Sequence, residues 1–180
     1  MKLFFILMFL SSGAYCESNY SWVSELKGKN ANEIYWRLKK DHFFESESPL
    51  FIEDFGFNRK SKKSSFSSAI MEVLSGPPDE SISPDENTII SSACRLHSCD
   101  EKGFIWADLK EKKSIFAIVH FSFSGKFDSN RQLFLASKYY NCTNYPETSI
   151  RYIKAWLKQI NLNPKVVRCL DGNKVIQIKL

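Results

Sequence analysis

The sequence predicts an α+β domain in which helices pack on one face of an antiparallel sheet. Two observations indicate this class. Apolar residues recur at helical spacing before residue 76, and β-branched and aromatic residues dominate several short runs between residues 88 and 140. A third is the return of helical spacing after Pro146, which is followed by a hairpin pattern. Helices followed by consecutive strands are typical of α+β domains rather than of alternating α/β folds.

Two helices are predicted before the strands, in a helical N-terminal part that covers about residues 30–75. Asn30 or Asn32 can cap the first helix, which extends to about Phe44. The second covers about residues 65–75 and ends at Gly76, because glycine followed by two prolines stops a helix. Its apolar positions at helical spacing are Phe66, Ile70, Val73 and Leu74.

The sheet-rich part is predicted over about residues 88–180. Its first four strands are expected at 88–93, 104–108, 114–121 and 132–140, with the second and third joined as a hairpin by a charged turn. An amphipathic helix follows over about 146–162, and a hairpin over 166–180 ends the domain. The apolar stripe of that helix is formed by Ile150, Ile153, Trp156, Leu157 and Ile160.

The first sixteen residues have the three parts of a secretory signal peptide. Lys2 is followed by an apolar run over residues 3–10 and then by small residues. We therefore expect residues 1–16 to be removed and residues 17–180 to fold as a single domain in the periplasm or outside the cell. Lipid anchoring at Cys16 is an alternative that the bulky Tyr15 disfavours. No later apolar stretch has the ~20 residues that a membrane span needs.

The net charge of +5 is a mild basic excess. Basic residues cluster among serines at Arg59, Lys60, Lys62 and Lys63, a pattern typical of a solvated loop and, as an alternative, of a contact with an anionic surface. The cluster lacks interleaved aromatic residues and the chain carries an export signal, so nucleic acid is not expected as a partner.

Four cysteines remain after the signal peptide: Cys94, Cys99, Cys142 and Cys169. An exported protein is expected to oxidise them, and four cysteines allow three pairings. The simplest joins Cys94 to Cys99 and Cys142 to Cys169. The chain-entropy model gives about 2 kcal/mol for the small ring and about 3.5 kcal/mol for the large one. The small ring is therefore expected to fix a loop rather than to stabilise the whole domain.

The segment SSACRLHSCDEKGF places Cys94, His97 and Cys99 within six positions, a density that also suits a metal or redox site. His120 or His42 could add a fourth ligand, but a second cysteine pair at structural-zinc spacing is absent from the sequence. A redox enzyme would use C-x-x-C at a helix start rather than C-x4-C between strands. We therefore expect neither metal nor cofactor.

Sequence patterns for catalysis are also lacking. The chain has no G-x-S-x-G, H-E-x-x-H, G-x-G-x-x-G or P-loop motif, and its carboxylate pairs lie in polar, loop-like surroundings. His120 follows an apolar run and is interpreted as a core or edge histidine with a satisfied ring. The protein is therefore not expected to be an enzyme.

The remaining interpretation is a recognition loop. A ring closed by one disulfide would present Arg95, Leu96, His97 and Ser98 on a constrained tip, and such preorganisation lowers the ordering cost of binding. An imidazole at the tip is suited to an acidic cleft, since it donates hydrogen bonds to carboxylates. The alternative is a structural turn whose histidine is merely exposed.

The stretch IISSACRLHSCDEKGFIWADLKEKKSIFAIV, residues 89–119, resembles the central segment of the Ivy family, the periplasmic inhibitors of vertebrate (C-type) lysozyme. That family has a disulfide-closed Cys-x-x-His-x-Cys loop between two strands, and the motif falls here on Cys94, His97 and Cys99. Leu96 stands where the family usually has proline, and Ser98 where it usually has aspartate.

The resemblance implies that the loop plugs the cleft of a C-type lysozyme or of another peptidoglycan-cleaving enzyme, with His97 at the catalytic acids. Two alternatives remain from other classes of protein. One is a non-catalytic envelope or structural binding module, and the other is a periplasmic immunity protein against a secreted toxin.

Overall fold

The computed structural model describes residues 29–40, 51–53, 63–79, 82–123, 126–171 and 174–180. Several predictions fall outside these ranges: the signal peptide over 1–16, the lipid-anchor alternative at Cys16, His42 as a ligand, and the basic residues Arg59, Lys60 and Lys62. None of the helices within these ranges is long and apolar enough to cross a membrane.

The three helices and the six strands after residue 88 follow the predicted order, with different ends, whereas the strands at 51–53, 63–65 and 82–85 are not predicted by the sequence. The helices are α1 (Ala31–Lys40), α2 (Phe66–Val73) and α3 (Glu147–Gln159). The strands are β1 (Phe51–Glu53), β2 (Lys63–Ser65), β3 (Ile82–Asp85), β4 (Thr88–Arg95), β5 (Ser98–Asp108), β6 (Lys113–Phe123), β7 (Lys126–Ala136), β8 (Val167–Asp171) and β9 (Lys174–Ile178). Strand β5 begins six residues before the predicted position 104, so β4 and β5 form one long hairpin around the cysteine loop.

Within the described residues, seven strands form one mixed sheet in the order β3-β4-β5-β6-β7-β8-β9. The prediction of a purely antiparallel sheet is wrong in one place, because β7 and β8 run parallel. Parallel neighbours need a crossover connection, and α3 supplies it between these two strands. The coarser prediction of mixed α+β structure is confirmed, with a sheet that is mostly antiparallel.

The helices lie on both faces of the sheet, not on one face as predicted. Buried residues of α1 and α2 pack with Ile105, Phe116 and Phe134 in one cluster. The buried side of α3 packs with Phe104, Trp106 and Leu133 in another. Since successive strand residues point to opposite faces, β5 supplies alternate residues to both clusters. The central strands are nearly continuous apolar runs, which is the pattern of a sheet with helices on both faces. The prediction of helices on one face did not take this pattern into account.

Helix α3 has a well-defined end next to the crossover. The N–H of Leu162 donates to the Leu157 carbonyl at 2.9 Å, and the N–H of Asn161 donates to the Lys158 carbonyl at 3.1 Å. Asn161 has φ 51°, so these bonds form a Schellman motif with asparagine at the left-handed position. The disulfide Cys142–Cys169 joins the segment before α3 to β8 and thereby fastens the helix to the sheet.

Candidate functional site

The candidate site is the turn between β4 and β5. Arg95 and Ser98 pair across the hairpin, which leaves Leu96 and His97 as the two turn residues. His97 has φ 65°, in the left-handed region that histidine enters more readily than most side chains do. The turn therefore depends on an unusual backbone conformation at the residue proposed to make contact with a partner.

A bulge and a disulfide shape the base of this turn. Cys94 pairs with Lys102 whereas Arg95 pairs with Ser98, so Cys99, Asp100 and Glu101 have no residues opposite them in β4. Extra residues bend a strand and redirect its side chains. Here the disulfide closes between Cys94 and Cys99, five positions apart in the chain, while Glu101 is buried. The predicted pairing of all four cysteines is confirmed by the two bonded pairs.

The segment after α2 holds the outer edge of the turn. The N–H of Gly76 donates to the Cys94 carbonyl at 2.8 Å, and the N–H of Cys94 donates to the Pro77 carbonyl at 3.2 Å. The N–H of Leu96 donates to the Ser75 hydroxyl oxygen at 3.3 Å. A Cβ atom at Gly76 would lie 2.6 Å from the Cys94 carbonyl oxygen, so only glycine allows this approach.

A charged cluster lies beneath the turn, on the side of the sheet that faces α2. Arg95 donates from Nη1 to Glu101 Oε2 at 2.6 Å and from Nε to Glu72 Oε1 at 3.1 Å. Glu101 also receives a contact from Nδ1 of His120, and both of these side chains are buried.

The cluster keeps the Glu101 carboxyl ionised. Burial by itself would raise the pKa of this group, but hydrogen bonds from His120 and Arg95 and their charge outweigh burial and lower the pKa to about 2. The interpretation of His120 as a core histidine with a satisfied ring agrees with this contact. Its ring is engaged inside the domain.

The four predicted contact residues differ in where their side chains lie. Leu96 is 52% exposed and His97 is exposed, so these two form the tip. Ser98 is half-buried. Arg95 shares the loop in sequence, but its guanidinium is directed to Glu72 and Glu101 within the domain. The structure therefore separates an exposed pair from a residue that fastens the loop.

Sequence reasoning missed Glu72, Gly76 and Glu101. The sequence predicts Gly76 only as a helix stop, although the same glycine makes the contact with the turn. Glu72 and Glu101 have ordinary charged surroundings in the sequence, and nothing local shows that they meet Arg95.

The geometry of the loop does not favour the metal site considered as an alternative. Cys94 and Cys99 are bonded to each other, and a disulfide supplies no thiolate ligand. In the part of the chain that the structure describes, no group of three or more His, Cys, Asp or Glu residues could hold a metal ion.

Comparisons with known proteins returned nothing: no protein-family model, no curated protein and no solved structure matches this chain.

Proposed function

We propose that this chain is an exported, non-enzymatic inhibitor that inserts its 94–99 loop into the cleft of a muramidase. The target class is a C-type lysozyme or another peptidoglycan-cleaving enzyme, as the likeness of residues 89–119 to the Ivy family implies. The protein acts in the periplasm or outside the cell after loss of its signal peptide, and it uses no cofactor.

The observation that carries the proposal is the exposed pair Leu96 and His97 on a turn held at three places. The disulfide closes the ring, Gly76 contacts its backbone, and Arg95 ties it to two carboxylates. A tip held in this way loses little conformational entropy on binding, and a rigid loop gains affinity through that saving.

The two tip residues supply complementary chemistry for an acidic cleft. An imidazole can donate to one carboxylate when neutral and to two when protonated. Hydrogen bonds to charged groups contribute about 1.5–3 kcal/mol each. Leu96, which is 52% exposed, adds apolar area beside the imidazole, in a cleft that normally holds the apolar faces of sugar rings.

A structural or envelope-binding module remains the second candidate, because one observation favours it. Arg95 uses its guanidinium inside the domain, so part of the loop serves the stability of the fold. In that case the tip would only connect β4 to β5 and would bind no enzyme cleft. An immunity protein against a secreted toxin would share the export signal and the protruding loop, and it would differ in its target.

The test is muramidase activity measured against inhibitor concentration for the wild-type protein and for His97→Ala. We expect the variant to inhibit about 10- to 100-fold more weakly, which corresponds to one or two steps of about 1.4 kcal/mol. Lys112→Ala is a matched control. Lys112 also has a positive φ, 53°, in an exposed turn, and it lies between β5 and β6. The Lys112→Ala variant therefore places alanine in the same left-handed backbone conformation, with a similar energetic cost, and leaves Leu96 and His97 unchanged.

Three results are informative. Weakened inhibition by His97→Ala with an unchanged Lys112→Ala supports the plug. Equal inhibition by all three proteins contradicts a role for His97. If the wild type inhibits no muramidase but is retained on isolated cell envelopes, the binding module is the correct candidate.

A further inference from the structure

A groove of about 750 Å³ lies where α3 ends and β8 begins. One wall is the C-terminal part of α3, and the opposite wall is formed by the start of β8 and the end of β9. Residues 161–165, which join α3 to β8, line the groove between these walls. The 94–99 loop contributes no residue to it, so the proposed inhibition does not use this surface.

The rim of the groove is basic. Lys154 and Lys158 lie one turn apart on α3, Lys165 belongs to the segment before β8, and Lys179 follows β9. All four lysines are exposed, and none of them forms an ion pair with a residue that the structure describes. None of the described residues that line the groove has an acidic side chain. The four charges are therefore available to an anion.

The floor between these lysines is aliphatic, and solvent can reach it. Leu157 and Val167 are buried beneath it, whereas Leu162 and Ile178 are only half-buried. Val167 pairs with Ile178 across β8 and β9, so the sheet side of the floor is continuous. The groove therefore offers accessible hydrocarbon surface inside a ring of positive charge.

The combination of charge and aliphatic floor selects the class of partner. Four cations alone would attract any polyanion, but no aromatic side chain lines the described groove, so nucleic acid bases have no ring to stack on. An extended acidic peptide would lay backbone N–H and C=O groups on a floor that offers them no hydrogen bonds. An acyl chain has no polar groups along its length, and an anionic head group at its end complements lysines.

We propose that this groove binds one anionic lipid of a membrane surface. The acyl chain lies along the aliphatic floor, and the phosphate of the head group lies among the four lysines of the rim. The volume falls within the range of about 300–1,000 Å³ that is typical of small-molecule sites. Both parts of the ligand contribute to binding, since lysines near anionic lipids and buried hydrocarbon each strengthen attachment to a membrane.

Co-sedimentation of the mature protein, residues 17–180, with lipid vesicles tests the proposal. We expect binding to vesicles of equimolar phosphatidylcholine and phosphatidylglycerol, and much weaker binding to phosphatidylcholine alone. Lys154→Gln with Lys158→Gln should weaken binding to the anionic vesicles about 10- to 30-fold. Lys110→Gln with Lys112→Gln removes the same charge and is the matched control. Both lysines are exposed in the turn between β5 and β6, towards the opposite end of the sheet.

Ile178→Thr tests the aliphatic floor. Threonine keeps the β-branched shape that suits a strand but places a hydroxyl in the floor, so binding to the anionic vesicles should fall about 3-fold. Ile176→Thr is the matched control, because Ile176 is also half-buried on the same face of β9 and does not line the groove. Thermal unfolding of both variants verifies that they are folded.

The proposal is supported if the two groove variants bind the anionic vesicles more weakly than their controls do. It is overturned if the wild type does not bind these vesicles, or if both lysine pairs weaken binding equally, since net charge alone would then explain it. Unchanged binding by Ile178→Thr also overturns it. Retention on immobilised polyglutamate without binding to vesicles would make an acidic polypeptide the partner instead. His97→Ala should bind vesicles as the wild type does, which separates this test from that of inhibition.

Discussion

Nη1 of Arg95 lies 2.6 Å from Oε2 of Glu101, and this pair joins the 94–99 loop to the interior of the domain. Arg95 is the last residue of β4, and Glu101 belongs to the bulge of β5 that faces it. The arginine side chain is 24% exposed and the glutamate side chain 5% exposed, so the interaction is partly shielded from water. Removing one partner of such a shielded pair destabilises a protein more than removing one partner of an exposed pair does.

We expect Arg95→Ala to lower the free energy of unfolding by about 2–3 kcal/mol, because it leaves the buried Glu101 carboxylate with one charged donor fewer. Urea denaturation monitored by circular dichroism measures this quantity. His97→Ala is the comparison in the same loop and should change stability by less than about 1 kcal/mol, since its side chain is exposed. Equal effects of the two substitutions would show that Arg95 does not fasten the loop.

The Glu101 carboxyl should make stability depend on pH in the acid range. Its pKa is about 2 in the folded protein against an ordinary value of 4.5. A lowered acid pKa means that the contribution is complete above pH 4.5 and is lost as the pH falls towards 2. The difference corresponds to about 3 kcal/mol at neutral pH.

Unfolding free energies measured between these pH values should therefore fall less steeply for Glu101→Gln than for the wild type. Asp100→Asn is a matched control, because Asp100 is the neighbouring acid and its side chain is 77% exposed. A Glu101→Gln profile parallel to that of the wild type would contradict the role assigned to the carboxylate.

Gly76→Ala should destabilise the protein by about 1–3 kcal/mol, because the new methyl group would lie 2.6 Å from the backbone oxygen of Cys94 and force the turn outwards. Thermal unfolding gives the effect, and amide exchange at Cys94 and Leu96 would show where the structure opens. Ser75→Ala, next to it, removes the hydroxyl that accepts from the Leu96 N–H and donates to the Glu72 carbonyl; both bonds are exposed, so the loss should be less than about 1 kcal/mol. The reverse ranking would mean that the turn does not depend on close approach at Gly76.

The two disulfides should contribute unequally to stability. Cys142 and Cys169 are 27 positions apart, whereas Cys94 and Cys99 are five apart. The chain-entropy model then gives losses of about 3.5 kcal/mol for Cys142→Ala with Cys169→Ala and about 2 kcal/mol for Cys94→Ala with Cys99→Ala.

Denaturant unfolding of the two double variants tests this ranking. Under the inhibitor proposal, the variant without the small ring should lose much of its inhibition but only a small part of its stability. The fold is kept, whereas the turn at Leu96 and His97 is no longer constrained by the disulfide. A small-ring variant that is less stable than the large-ring variant would contradict the entropic account.

Much of the local structure could be predicted from the sequence because short-range signals carry it. The asparagine before α1 caps it as expected: the N–H of Asn32 donates to the Asn30 side chain at 2.8 Å. Helix α2 ends at Val73, close to the stop predicted at Gly76 and the two prolines after it. The disulfide of the 94–99 loop also follows from the spacing of Cys94, His97 and Cys99, whereas the sequence predicts a tip of four residues and the structure has two turn residues.

The sequence alone determined the three helices, the six strands after residue 88, the pairing of the cysteines and the place of the loop, since each depends on neighbours along the chain. The short strands at 51–53, 63–65 and 82–85 were not predicted. The side of the sheet that α3 covers and the direction of β8 were decided by tertiary structure. An amphipathic stripe shows which side of a helix is buried but not what it is buried against, and central strands that are apolar on both faces accept helices on either. The inward turn of Arg95 was decided in the same way, because Glu72, Glu101 and His120 come from three different elements and meet only when α2 packs on the sheet.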